Sequence, residues 1–327
     1  MTQRPRVLLL IPHLGGGGAE RVTSLLAENL SGRNYELHLG LVTQHAPLNS
    51  SFSSSVTIHG LGVRRVRAAA FPLLRLVWKR RPDVILSGMA HLNFLVLLLR
   101  PFFPTRTRVL IRQNGSIASV PASQQLPKYI RILYRLLYRH ADRVICQSTS
   151  MAHEIYRQTG TPHRKLAVLQ NPVDVERIRR LASTSHNHWS GPGPHLLAVG
   201  RLSREKGFDM LLQALATIKL RFPAADLTIV GAGPQEGALR SHCAKLGIDA
   251  AVRFPGHVEN PAAYFPGASI FVLSSHHEGM PNALLEAAAA GLPLVALPAS
   301  GGIVSLMSGN AGEWLAREIS VDGLVES

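Results

Sequence analysis

Two acids, Glu278 and Glu286, frame a loop-to-helix junction within Ser274 to Gly291. An apolar run ends at Leu273, Pro281 suits the first turn of a helix, and Gly291 suits its stop. Glu278 is therefore expected before the helix and Glu286 on it. The amides of Gly279, Met280 and Asn282 then offer donors to an anion, and the helix dipole adds to their pull. Either acid could equally be a solvated surface glutamate. The alanines from Ala287 to Ala290 read as buried, however, which favours a ligand as the partner.

A second group of charges lies at Arg201 and Lys206, after the apolar run that ends at Val199. Arg201 would sit at the mouth of a strand and Lys206 one loop later. A planar guanidinium and a point-like ammonium converging there suit a diphosphate; two solvated loop cations are the plain alternative. A third candidate is the run Gly15 to Gly18, which follows the strand-like Val7–Ile11 and precedes a helical pattern through Leu30. Glycines admit a close backbone approach, and a helix start favours anions. The dinucleotide fingerprint fails here, because its third glycine would fall on Glu20 or Arg21. A tight turn alone would also account for these glycines.

Apolar strand-like runs separated by helical patterns must position these residues. They are Val7–Ile11, Leu37–Val42, Val84–Leu86, Val109–Ile111 and Val144–Cys146, then Leu196–Val199, Leu227–Val230, Ile270–Leu273 and Leu294–Leu297. Short runs buried on both faces mark parallel α/β sheets. The polar, Pro- and Gly-rich stretch from Ser183 to Pro194 reads as part of a linker over about 171–194. The expected organisation is thus two Rossmann-like domains, 1–190 and 191–327, facing across a cleft at their strand C-termini.

With 327 residues, 46% of them hydrophobic and 17% charged, the chain is globular and large enough for two cores. Two distant cysteines, Cys146 and Cys243, argue against a disulfide framework and for a reducing cytoplasm. The longest apolar run, Leu92 to Leu99, is too short to span a bilayer, so a soluble or peripheral protein is expected. The net charge of +15 is uneven: residues 1–190 hold 26 Lys and Arg against 8 Asp and Glu, and the rest hold 9 against 12. Such asymmetry points to an anionic partner for the first half. Nucleic acid is disfavoured, since no recognition motif is present and aromatics are only 6%.

Taken together, these motifs resemble the retaining glycosyltransferases of family 4. The loop from Glu278 to Glu286 is similar to that family's Glu-x7-Glu motif. Gly17 to Arg21, Gly200 to Leu202 with Glu205 to Gly207, and Gly231 to Pro234 follow the family's order and spacing. The resemblance covers nearly the whole chain and implies a glycosyltransferase B-type fold and a nucleotide-diphosphate sugar as donor. Arg201 and Lys206 would then hold the diphosphate and neutralise the leaving group. Glu286 would bind the ribose hydroxyls and Glu278 would lie near the donor sugar, with Gly279, Met280, Pro281 and Asn282 around sugar and phosphate. Gly17 and Gly18 would close on the diphosphate, and His257 and Val258 would flank the base.

The resemblance also places His91 opposite the donor sugar, although a lone histidine at a helix start can be a cap or a surface residue. Arg112 and Asn114, at another strand end, would touch acceptor or donor phosphate or else form a simple turn. Transfer would proceed with retention, the leaving diphosphate assisting deprotonation of the acceptor hydroxyl. No metal and no cofactor are expected, because cationic side chains serve in their place and no Asp-x-Asp pair is present. After Gly301 and Gly302 the acid common in the family is missing, and the chain ends at Ser327, so a shortened C-terminal domain is expected. A catalytically silent sugar-nucleotide binder and a sugar-nucleotide epimerase remain as alternative readings.

The acceptor implied by the resemblance is a glycan, lipid-linked, in bacterial surface polysaccharide synthesis. Arg64, Arg65 and Arg67 precede Phe71, Leu74, Val77 and Trp78 at helical spacing, and Lys79, Arg80 and Arg81 follow. Cations beside an apolar stripe suit a helix lying on an anionic membrane. The series Lys128, Arg131, Arg135, Arg139 and Arg143 would add to it. A stripe packed on its own sheet with merely solvated arginines is the plain alternative. The expected location is the inner face of the cell membrane.

Overall fold

The computed structural model describes residues 4–15, 17–31, 34–43, 55–115, 117, 127–308 and 314–327. Gly16, part of the glycine loop, and the side chain of Lys128 lie outside the described residues. The chain divides into two compact units, Met1–Pro172 and Val173–Ser327.

The first unit runs β1 (Arg6–Ile11), α1 (Gly18–Leu30), β2 (Glu36–Leu41), β3 (Val56–Gly60), α2 (Ala70–Arg80), β4 (Val84–Gly88) and α3 (Ala90–Leu99). It continues with β5 (Arg108–Arg112), α4 (Lys128–Leu137), β6 (Arg143–Cys146), α5 (Thr149–Thr159) and β7 (Leu166–Val168). Its seven strands are parallel, in the order β3-β2-β1-β4-β5-β6-β7. Alternation along β1 shows why both faces are covered. Leu8 and Leu10 join a core with Leu73 and Val77 of α2, Val96 of α3 and Ile155 of α5. Leu9 and Ile11 point the other way, into a smaller core with Ala27 of α1. The edge strands β3 and β7 have mixed burial patterns; no clean apolar run marks β3, and the short apolar run Leu166–Val168 of β7 is not among those singled out above.

The second unit opens with α6 (Val175–Ser183), followed by β8 (His195–Val199), α7 (Phe208–Arg221), β9 (Asp226–Val230), α8 (Glu236–Leu246) and β10 (Val252–Gly256). Then come β11 (Ile270–Leu273), α9 (Asn282–Ala290), β12 (Leu294–Ala296), α10 (Gly301–Met307) and α11 (Val321–Glu326). The five parallel strands run β10-β9-β8-β11-β12. The units part at Pro172 and not near 190, because the stretch between belongs to the second core. Ile178 of α6 and Trp189 pack with Leu284 of α9 and Phe265, and the Trp189 indole donates to the Tyr264 carbonyl at 3.2 Å. Apolar anchors in a polar stretch thus decide where the linker segment docks.

One feature of the first sheet is sensitive to acid. His59 Nε2 lies 3.1 Å from His38 Nδ1, and His38 Nε2 lies 3.2 Å from Glu36 Oε1. Neutral rings satisfy this chain of bonds, each imidazole donating from one nitrogen. Burial lowers the His38 pKa, and burial together with the charges of His38, Arg80 and Lys79 lowers His59 to about 4. Both groups favour the neutral form when folded, so their contribution is complete above pH 6.5, the ordinary histidine value, and fades as pH falls toward 4. The melting temperature is expected to drop over that interval, and less steeply in a His59→Gln variant. Parallel melting curves for the two proteins across it would remove this assignment.

Candidate active site

In the second unit the chemistry collects at the C-terminal ends of β8 and β11, which are neighbours in the sheet. The loop after β8 makes a 3-10 turn, Arg204–Lys206, and stops at Gly207 in the left-handed conformation (φ 61°). A Cβ at Gly207 would run into the Ser274 carbonyl, so glycine there lets the two loops touch. Ser274 Oγ donates to the Lys206 carbonyl (2.9 Å) and the His276 N–H to the Glu205 carbonyl (2.9 Å). This clasp brings Lys206 Nζ to 2.5 Å from Glu278 Oε1, and Ser275 Oγ donates to the same oxygen at 2.7 Å. Both charged side chains are largely shielded from water, so the pair is stronger than a surface ion pair.

Arg201 behaves differently. Its side chain is exposed, and its Nη2 donates to Glu205 Oε1 at 2.6 Å. Burial would raise the Glu205 carboxyl, but hydrogen bonds from Ser203 and Arg201 outweigh that and pull it down to about 2. Arg201 and Lys206 were expected to converge on one partner; here each is held by its own carboxylate. Glu205 stood out in the sequence only as part of a motif with no role of its own, and Ser275 did not stand out, since a serine carries no spacing signal.

Glu286 is buried on α9 alongside Leu284 and Ala287. Of the alanines expected to be buried, however, Ala288 is exposed and Ala289 and Ala290 are half-buried, because that side of the helix turns away from the sheet. Pro281 is the N-cap of α9 rather than its first helical residue, and it supplies no capping side chain. Met280 and Pro281 are buried, Gly279 and Asn282 half-buried, and Ser300 Oγ donates to the Gly279 carbonyl at 3.2 Å. Gly291 ends the helix with φ 82°. His257 is exposed and Val258 half-buried just beyond β10, with the Gly231 N–H donating to the Gly256 carbonyl at 2.9 Å. A Cβ on Gly231 would collide with the Gly200 carbonyl. That close approach is the physical need behind the run Gly231 to Pro234.

In the first unit the expected residues fall at the ends of β1, β4 and β5, three adjacent strands. Gly17 is the N-cap of α1 and Gly18 its first residue. His91 lies in the first turn of α3, after Met89, whose φ of 80° is strained for a side chain of that size. His91 is exposed as a residue, yet desolvation first and the charge of His13 second lower its pKa. Arg112 is buried, its Nη2 donating to Asn171 Oδ1 at 2.6 Å, and among the described residues no carboxylate pairs with it. Burial lowers its pKa. Gln147 donates to the same Asn171 oxygen, and Asn93 donates to the Arg112 carbonyl. Among the described residues, Arg112 Nε, both amide atoms of Asn114, Ser87 Oγ, Asn93 Oδ1 and Gln147 Oε1 are buried without a hydrogen-bond partner. A polar ligand or ordered water would satisfy them. Ser87, Asn93 and Gln147 escaped the sequence reading because they lie within apolar runs or carry no motif.

Parallel sheets of this order, with anion-suited loops at their C-terminal ends, define nucleotide-type α/β units. Residues 16–177 match Glycosyltransferase Family 4, and residues 193–327 match the glycosyl transferases of group 1. The chain therefore belongs to the family 4, group 1 glycosyltransferases, and its fold is of the glycosyltransferase B type. HepE from Anabaena, solved with UDP-glucose, superposes with a TM-score of 0.79 at 18% identity, over 98% of this chain and 87% of that one. A Campylobacter jejuni transferase that adds N-acetylgalactosamine to an undecaprenol-diphosphate-linked sugar is 26% identical over 302 residues, 88% of this chain and 79% of its own length. The glycogen synthase of Mycobacterium tuberculosis is 33% identical over 192 residues, 58% of this chain; the match spans less than half, 45%, of that protein.

Proposed function

We propose that the chain transfers a hexosyl or N-acetylhexosaminyl residue, with retention at the anomeric carbon, from a UDP-sugar to a lipid-linked glycan in bacterial surface polysaccharide synthesis. The observation that carries this reading is the Lys206–Glu278–Ser275 cluster at the end of β11, with Glu286 buried on the helix that follows. It supplies a cation for a departing diphosphate and acids for sugar and ribose hydroxyls. Catalysis then rests on positioning and on stabilising the leaving phosphate. The neighbour solved with UDP-glucose and the relative named for an undecaprenol-linked acceptor support the choice of donor and acceptor.

A thermal-shift screen against sugar nucleotides tests the donor. A UDP-sugar at 100 times its dissociation constant should stabilise by ~2.7 kcal/mol. Equal or larger shifts with GDP-sugars would reject the UDP assignment. Binding without transfer or donor hydrolysis would indicate a silent binder, and conversion without an acceptor an epimerase.

The reading places the first unit on an anionic membrane surface, and its outer helical layer supports this. The core takes Leu73, Leu76 and Val77 of α2, so Val77 does not belong to the outward stripe; Phe71 (75% exposed) and Trp78 (53%) do, beside Phe102 (62%). Together with Leu74, Arg75, Pro101 and Phe103 they line an open groove of about 570 Å³. On α4, Tyr129, Ile132 and Leu136 are exposed among Arg131 and Arg135, with Arg139 exposed in the turn that follows. Apolar side chains exposed in this number between cations fit the headgroup boundary of a bilayer, and each cation near it adds ~1 kcal/mol. Among the described residues no helix is long and apolar enough to cross the membrane. Flotation with liposomes should require anionic lipid, weaken with salt and fall in a Phe71→Ser/Trp78→Ser variant. Equal recovery with neutral liposomes would sink this part of the proposal.

A further inference from the structure

His13 follows β1, and Glu20 lies in the first turn of α1. The Gly15 N–H donates to His13 Nδ1 at 3.1 Å, and the same nitrogen lies 3.4 Å from Glu20 Oε1. One ring nitrogen thus faces a donor and an acceptor at once. With a lone pair it can accept from Gly15; with a proton it can donate to Glu20. It cannot do both.

Glu20 is 6% exposed, and its Oε2 fills the space that a Cβ on Gly17 would occupy. A carboxylate therefore stands against the Gly17 backbone at the N-terminus of α1, where the likeness of Gly17 and Gly18 to the family's glycine loop would put the donor diphosphate. The helix dipole favours a negative charge at that place. A second negative charge arriving there raises the proton affinity of any group able to neutralise the pair. The titratable groups placed against the ring of His13 are Glu20 on α1 and His91 on α3. Among the described residues, the side chain of His13 contacts both the glycine loop and the buried acid.

We infer that His13 is a proton-linked positioning residue for anion binding: its neutral ring holds the Gly15 amide in the free protein, and its protonated ring pairs with Glu20 when a diphosphate settles on Gly17 and Gly18. The proton comes from solvent and returns there when the ligand leaves, so no other reactant is consumed. On exchange the Gly15 amide is released toward the ligand, and the like-charge conflict between Glu20 and the diphosphate is relieved. The inference rests on the proposed donor reading for the identity of the anion, but not for the exchange itself.

Calorimetry of UDP binding near pH 7, in two buffers of different ionisation heat, measures the protons taken up. The wild-type protein should take up protons on binding. His13→Asn should take up none and bind more weakly, because it cannot neutralise Glu20 beside the diphosphate. His13→Ala should behave alike, because the Gly15 bond that it also loses is made only in the free protein. Undiminished proton uptake in His13→Asn would overturn the inference. Should UDP not bind the wild-type protein, the donor reading fails, and the exchange is still measurable in the free protein by NMR. There the Gly15 amide resonance should shift with the same midpoint as the His13 ring, and Glu20→Gln should move that midpoint to lower pH. A Gly15 amide that ignores the His13 titration overturns the inference whatever UDP does.

Discussion

Replacing Lys206 by alanine is expected to lower turnover by roughly 10²- to 10³-fold while donor affinity changes far less. On the proposed reading its ammonium meets charge that grows only as the glycosidic bond breaks, so the interaction is stronger in the transition state than with bound donor. The structure adds a complication with a definite remedy. Lys206 also partners Glu278, and removing it leaves a mostly buried carboxylate without its cation, a loss that typically costs about 3–5 kcal/mol. Part of any defect could therefore be structural. A Lys206→Ala/Glu278→Gln double variant removes the stranded charge; it should regain much of the melting temperature and none of the turnover. Turnover of the single variant equal to wild type would refute the assigned role, and recovery of turnover in the double variant would make Lys206 merely structural.

Glu286→Ala should act on the other side of the same kinetic division. A carboxylate bound to a ribose diol makes its contacts in ground and transition states alike. Losing charge-assisted hydrogen bonds worth about 1.5–3 kcal/mol predicts a donor dissociation constant roughly 10- to 150-fold higher, with turnover at saturating donor nearly unchanged. Glu286 is buried on α9 and has other interactions, so the control is made on the ligand. UDP lacking both ribose hydroxyls should bind the variant and the wild-type protein equally. A variant that loses the same affinity for that analogue as for UDP would show that Glu286 supports the helix and does not touch the ribose.

Much of this molecule was legible before any tertiary contact was known. The buried strands β1, β4, β8, β9 and β11 announce themselves, because a strand covered on both faces must be apolar at every position. Gly291 and Gly207 mark their turns because only glycine enters the left-handed region without strain. The burial of Glu286 was not legible in the alanines around it, since Ala287 is buried but Ala288 is exposed. The edge strands β3, β7 and β10 were not legible. Each has one partner strand and a partly exposed face; β3 and β10 therefore lack a continuous apolar run, and β7 is apolar over only its three residues.

What only the tertiary structure decided is which charges meet. The sequence placed Arg201 and Lys206 on one loop but could not show that Glu205 takes the first and Glu278 the second. Those pairings depend on the Gly207–Ser274 contact between loops that are distant in the chain. His13 was invisible for the same reason: its significance lies in two distances to one nitrogen, and no residue spacing encodes them. Along α2 the helical period exposed a stripe, and the fold then chose which of its members to bury. Val77 went to the core while Phe71 and Trp78 stayed outside, because the sheet admits only the face that carries Leu73 and Leu76. Periodicity only narrows which residues share a face; packing against the sheet decides which of them meet water.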